Sequence, residues 1–353
     1  MVTALLIVIR AAHITASILI AGSFTFEVVA LGLRRRIPGE DPYVADQVLV
    51  RLAVWSLIAG SFTFNFVALG VRRRIPGKDS RMADQVLVRL TVWSLIAAAL
   101  SGVLWFWLEV ANMSDLPLFG GGSISAWGTV LLNTKFGHLW SFRLGVGVAL
   151  AFGISISARD EARGRSLSLA LWFLSVLLLV SLAWISHAAA AQTQPLGVVS
   201  DALHLCAAGG WIGGLVSLAI FLTHAGLLSP LGKSLTLILE RFSTLSLCCV
   251  SILVATGICN SWLLVGSVHA LFTTTYGWLL LFKLALFGIL ISFGARNRFL
   301  VKTKLRNLSE FSDLIPQVRR NVICEAGLGV AVLAIVTCLG VTPPAISMMH
   351  TMR

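Results

Sequence analysis

The sequence predicts an all-α fold, a polytopic bundle of transmembrane helices, and three observations predict it. Of the 353 residues, 57% are hydrophobic and only 12% are charged, whereas a soluble domain carries about 25% charged residues. The apolar residues fall in long runs, and roughly 20 apolar residues cross the hydrocarbon core as a helix. The runs are too long and too uniform for barrel strands, which alternate in polarity over about ten residues. Helices and closed barrels are the structures that satisfy their own backbone groups in lipid.

Nine apolar segments follow: 7–33, 53–71, 91–111, 142–158, 167–190, 200–224, 243–266, 276–296 and 322–342. The first carries Arg10 and continues to Leu33, too long for a signal-peptide core, so it reads as a retained helix. The second arises from a tandem repeat. Ala21 to Ile58 (AGSFTFEVVALGLRRRIPGEDPYVADQVLVRLAVWSLI) recurs as Ala59 to Ile96 with a few changes, such as Glu27/Asn65 and Tyr43/Arg81, at an offset of 38 residues. Each copy ends one helix and begins the next, so the duplication adds one segment. The chain divides into N-terminal helices with the repeat (1–96), central helices (97–195), a C-terminal unit (196–345) and a tail (346–353).

The remaining segments take their orientation from charge. The net charge is +12, but the basic residues lie in loops between apolar runs, which points to the positive-inside rule and anionic headgroups rather than to nucleic acid. The loop with Arg296, Arg298, Lys302, Lys304, Arg306, Arg319 and Arg320 is cytoplasmic by this rule, as are those with Arg159, Arg163, Arg165 and with Lys233, Arg241. The loops at 188–199 and 267–275 hold no Lys or Arg and face outward. With nine crossings the first helix inverts and exposes Arg34–Arg36; with eight, segment 53–71 does not span.

Ionisable groups inside a bilayer are functional candidates. Segment 167–190 closes on His187, and segment 200–224 opens with Asp201, His204 and Cys206. A short uncharged loop joins them, so both histidines lie near the outer face. Asp201 and His204 share a helix face, and a carboxylate beside an imidazole fixes its tautomer as in metal sites. Imidazole suits copper, and thiolate or thioether suits Cu(I). Interhelical hydrogen bonding is the alternative use of the same histidines. Cys206 points to another side of the helix. His269 in an outer loop and Met348, Met349 and His350 in the tail are further candidate copper ligands. Lys283 lies inside the eighth segment, where a lysine snorkels to the interface or pairs with a buried acid, and Asp201 lies at comparable depth. Glu325 lies near Arg319 and Arg320, which suggests an ion pair. The glycines around Trp211 suit close helix packing, with ligand access to the backbone as the alternative use.

The six cysteines form no CxxC pair, so no zinc ribbon or redox pair is expected. No GxxxxGK[ST], Ser-His-Asp or zincin motif is present, and no enzymatic activity is expected.

Several stretches resemble the copper resistance protein D family: DALHLCAAGGWIGGL, RFSTLSLCCVSILVATGICNSWLLVG, TTTYGWLLLFKLALFGILISFGARNRFLV and the ending Val341-Thr342-Pro343-Pro344. The likeness covers roughly His187 to Pro344 and makes 196–345 a unit like that family's characteristic domain. It implies a bacterial inner-membrane protein that moves or delivers copper, inward, with a separate periplasmic CopC-type copper-binding partner. By this resemblance His187, Asp201, His204, Asn260, Tyr276, Lys283 and Glu325 occupy motif positions. The role of His13 depends on the orientation of the first helix. Two other readings stand beside copper transport: bis-histidine ligation of haem b in a membrane electron carrier, and a membrane assembly factor without transport.

Overall fold

The computed structural model describes residues 2–30, 78–114, 124–159, 164–190, 194–225, 232–304 and 311–347. The described residues are helical apart from short turns, and eight of their helices are long and apolar enough to cross a membrane. The second apolar segment, 53–71, lies outside the described residues, as does most of the repeat.

In chain order α1 is Val2–Thr25, extended by a π-helical turn over Phe26–Ala30, and α2 is Lys78–Met113. Next come α3, Ile124–Asn133, and α4, Lys135–Arg159. Helix α5, Gly164–Val180, tightens into 3-10 turns at Ser181–Ile185 and His187–Ala190. Helix α6, Gln194–Ala208, passes through a π-helical turn at Gly209–Gly213 into α7, Gly214–Ala225. Then follow α8, Gly232–Val265, the short α9, Val268–Thr273, α10, Thr275–Lys304, and α11, Phe311–Val341.

Large apolar side chains such as Leu100, Val103, Leu144, Phe152, Ile258 and Phe282 are exposed around the bundle, which is how a helix meets lipid rather than water. Trp184, Trp262 and Trp278 are also exposed, at the α5, α8 and α10 ends that share one face of the bundle. Indole rings favour the membrane–water interface, so this ring of tryptophans marks the outer boundary.

Helix α1 sits centrally and runs antiparallel to α2. Arg10 pairs with Glu109, His13 meets Ala98, and Phe26 packs in the same cluster as Leu87. Arg10 also donates to the Gly340 carbonyl at the end of α11 (3.0 Å). The start of α1 therefore lies at the outer end with the ends of α2 and α11, and the inversion expected for nine crossings is not seen. The ends at Ala30 and Lys78 both lie at the basic, inner end.

The glycine-rich turn 209–213 explains how α1 reaches the centre. A Cβ at Gly22 would overlap the Gly213 backbone, and one at Gly213 would overlap the Ile18 carbonyl. Without a hydrophobic force between helices in lipid, such backbone approach is what drives their packing. The turn also widens the helix and buries Trp211, which meets Phe287 edge-on at 5.9 Å.

Candidate metal-handling site

At the outer end of α6, four elements meet. Ser200 donates to Asn260 Oδ1 (2.6 Å), and Asn260 Nδ2 donates to Asp201 (3.4 Å), tying α6 to α8. The Asp201 carboxylate also lies within reach of Ser186, and the charge of Lys283 from α10 faces it without closing a direct ion pair. Tyr276, at the start of α10, is buried beside the same carboxylate. Lys283 thus stays within the bundle with its charge facing an acid instead of snorkelling to the interface, and two opposite charges at one depth offset the cost of each in lipid.

His204 stands one turn further along α6. Its Nδ1 meets Thr256 Oγ1 at 2.9 Å. The Thr256 hydroxyl gives its own proton to the Ile252 carbonyl (2.6 Å), so it accepts here and the imidazole carries its proton on Nδ1. Nε2 is then a bare lone pair with no protein hydrogen-bond partner among the described residues. That is the arrangement of a metal-ligating histidine, with the distal nitrogen held by a hydrogen bond. The holding group is Thr256, not Asp201. The i,i+3 spacing puts Asp201 on the right face, but its carboxylate is taken up by Asn260 and Lys283. Lys283 also faces the His204 ring.

His187 lies in the 3-10 turn beyond α5, where its ring approaches the Gly340 carbonyl, and its Nε2 is buried without a hydrogen-bond partner among the described residues. A buried nitrogen left unsatisfied costs about 1–3 kcal/mol, which a ligand at that atom would relieve. Burial holds the His187 pKa below the ordinary imidazole value, the Gly340 carbonyl opposes that shift, and the nearby Arg10 charge adds to it. The ring is thus neutral, as a metal ligand must be. His187 is set against α11 and α1, and His204 against α8 and α10. Each offers a free Nε2 at the outer end from a different side of α6.

No group of three or more His, Cys, Asp or Glu side chains forms a ready-made cage among the described residues. Cys206 is partly buried and Cys249 fully buried, and the two lie near one another between α6 and α8, inward of His204. His269 is exposed on α9 with no partner in the cluster. Met348, Met349 and His350 lie outside the described residues. Trp211 and Glu325 belong to the inner half. Glu325 accepts from Asn297 and forms no ion pair with Arg319 or Arg320. Those arginines stand five and six positions before it, on other sides of the helix.

Sequence reasoning passed over a second buried polar cluster, built from α1, α2, α4 and α5. His13 is buried, with Nδ1 3.0 Å from the Ala98 carbonyl and Nε2 2.6 Å from the Arg143 guanidinium. Arg143 also donates to the Leu178 carbonyl and to Ser181. Beside them Arg10 lies over the Trp105 ring (4.7 Å) and 3.5 Å from Glu109, which accepts from Trp105 Nε1. Arg143 and Glu109 were findable as charges inside apolar runs. Thr256 carries no such signal, since a threonine in a membrane helix ordinarily back-bonds to its own helix.

Comparison with known proteins covers both halves. Residues 1–198 match the family model "Copper resistance protein D-like, N-terminal domain", and residues 236–339 match "Copper resistance protein D". The chain is 29% identical to "Copper resistance protein D" of Pseudomonas syringae pv. tomato, over 61% of this chain and 71% of that protein. It is 28% identical to "Copper transport protein CutJ" of Bacillus subtilis, over 64% of this chain but only 42% of that longer protein. It is 26% identical to "Inner membrane protein YebZ" of Escherichia coli, over 67% of this chain and 82% of that protein. No solved structure matches.

Proposed function

The chain belongs to the copper resistance protein D family, and on that premise we propose that it moves copper across the bacterial inner membrane, taking the ion at the outer face through His187 and His204. The observation that carries this reading is the pair of bare Nε2 atoms at the outer end, one orphaned and buried and the other set by Thr256. Copper is the cargo. Imidazole nitrogen binds it in either common oxidation state, and the thiols of Cys206 and Cys249 further in suit Cu(I). The route runs from the two imidazoles, past these thiols, toward the basic inner end.

The names of the relatives support copper as the substrate and the inner membrane as the location. A periplasmic CopC-type protein is the supplier that an outward-facing capture site calls for. A haem b carrier needs two histidines facing one another across a macrocycle, and here the two rings engage different helices. An assembly factor that transports nothing would bind copper without releasing it inside.

The test is copper content and uptake in proteoliposomes for wild type, His187→Ala, His204→Ala and the double variant. Bound copper and internal copper should fall in each single variant and vanish in the double. Equal copper in all four refutes the site, and binding without uptake refutes transport.

A further inference from the structure

The inner half of the bundle holds a cavity of about 180 Å³ between the glycine-rich turn and helices α7, α8, α10 and α11. Its walls are apolar except on one side, where Glu325, Asn297, Ser243, Ser246 and Arg298 line it. Three features there have no use in copper capture. Glu325 is 2% exposed, and its carboxyl accepts from Asn297 Nδ2, whose own Oδ1 accepts from Asn321 (2.7 Å). Ser246 Oγ is buried with no hydrogen-bond partner among the described residues. Arg298, the cation lining the cavity, spends its guanidinium on the Ser243 carbonyl (3.1 Å) and hydroxyl (2.8 Å).

A carboxylate buried without a cation is costly in lipid and becomes neutral by taking a proton. Glu325 stands about 14 Å along α11 from Pro316, at 1.5 Å per residue. The groups around it offer little else in charge. Helix α10 brings Asn297 and the engaged Arg298, α8 brings hydroxyls and Cys249, and α7 with the glycine-rich turn brings apolar side chains. On α1, Glu27 is turned toward Ser168 of α5. Arg319 and Arg320 on α11 itself face elsewhere. The cavity is large enough for several waters, and the orphaned Ser246 hydroxyl offers such waters an anchor. The polar side chains lining the cavity are oxygen and nitrogen groups with no thiol among them, which suits a proton or water rather than Cu(I).

We propose that this cavity is a proton-binding site, with Glu325 as the proton carrier, and that copper movement is coupled to its loading from the cytoplasmic side. It rests on the transport reading above. Coupling has a physical route, because α10 carries Lys283 to the Asp201–His204 cluster and, half a helix away, Asn297 to Glu325. When the Glu325 carboxylate takes a proton its bond to Asn297 weakens, and α10 is the element both sites engage.

Two arms test it. In the first, wild-type protein in liposomes is treated with a hydrophobic carbodiimide, which adds to protonated buried carboxyls, and the adducts are mapped by mass spectrometry. Glu325 should label about tenfold faster at about pH 6 than at about pH 8.5. Asp201, facing Lys283, and Glu109, paired with Arg10, should label far more slowly. An unlabelled Glu325, or a rate indifferent to pH, overturns the proton site without any variant having to fold. In the second, copper uptake is measured under opposed pH gradients for wild type, Glu325→Gln and Glu325→Asp. Wild type should respond to the gradient, Glu325→Gln should lose the response while keeping its bound copper, and Glu325→Asp should retain it. A gradient response surviving in Glu325→Gln overturns the coupling. A wild type that binds no copper refutes the transport reading and the coupling together, while the labelling arm still decides the proton site.

Discussion

His13 and His204 are imidazoles held inside the same bundle, yet one is closed and the other open. At His13 the Arg143 guanidinium, which can only donate, occupies Nε2, so Nδ1 carries the proton and gives it to Ala98. Both nitrogens are spent, and the ring joins α1, α2 and α4. At His204 a threonine hydroxyl takes the Nδ1 proton, and nothing among the described residues takes the Nε2 lone pair. A membrane histidine is therefore glue or ligand according to what stands at its second nitrogen, not according to its depth or its span.

The contrast breaks most visibly at Arg143. Replacing it with Ala strips three hydrogen bonds from buried acceptors and should cost about 3 kcal/mol. Thermal unfolding in detergent should record the loss, with copper per folded chain unchanged. His13→Ala should cost about 2 kcal/mol by the same measurement and again leave copper content alone. If either variant loses copper while folded, the closed site is not closed. Thr256→Val keeps the shape but removes the acceptor that sets the His204 tautomer, so copper affinity should weaken about tenfold, measured by competition with a chelator. The smallest effect sharpens the account at His187. Its pKa lies below the ordinary 6.5, so protons compete with copper only in more acidic solution. In His204→Ala, copper retention across a pH series should have its midpoint below that value. A midpoint at or above it would show that burial does not hold the ring neutral.

Much of the frame was legible in the sequence, because each span announces itself by length and polarity. The hairpin bringing His187 and His204 to one end followed from a short, uncharged loop. The packing role of the glycines around Trp211 followed from their spacing, although the partner glycine, Gly22, did not. What sequence could not show was which group satisfies which. Asp201 shares a helix face with His204, yet the carboxylate is drawn to Asn260 and Lys283 across the interface. Glu325 is near two arginines in sequence, but a helix turns them away, and its partner Asn297 comes from α10. Such choices are made by neighbouring helices, and no spacing within one helix encodes them. Closure of His13 by Arg143 is of the same kind, joining residues 130 apart in the chain.

The most direct measurement of the central claim is pulsed EPR of the Cu(II)-loaded protein, which reports the remote, protonated nitrogen of an imidazole bound through its other nitrogen. That coupling should be present in wild type and in His13→Ala and be lost in the His187→Ala/His204→Ala double variant. Bound copper whose imidazole coupling persists unchanged in the double variant, or disappears in His13→Ala instead, would contradict it.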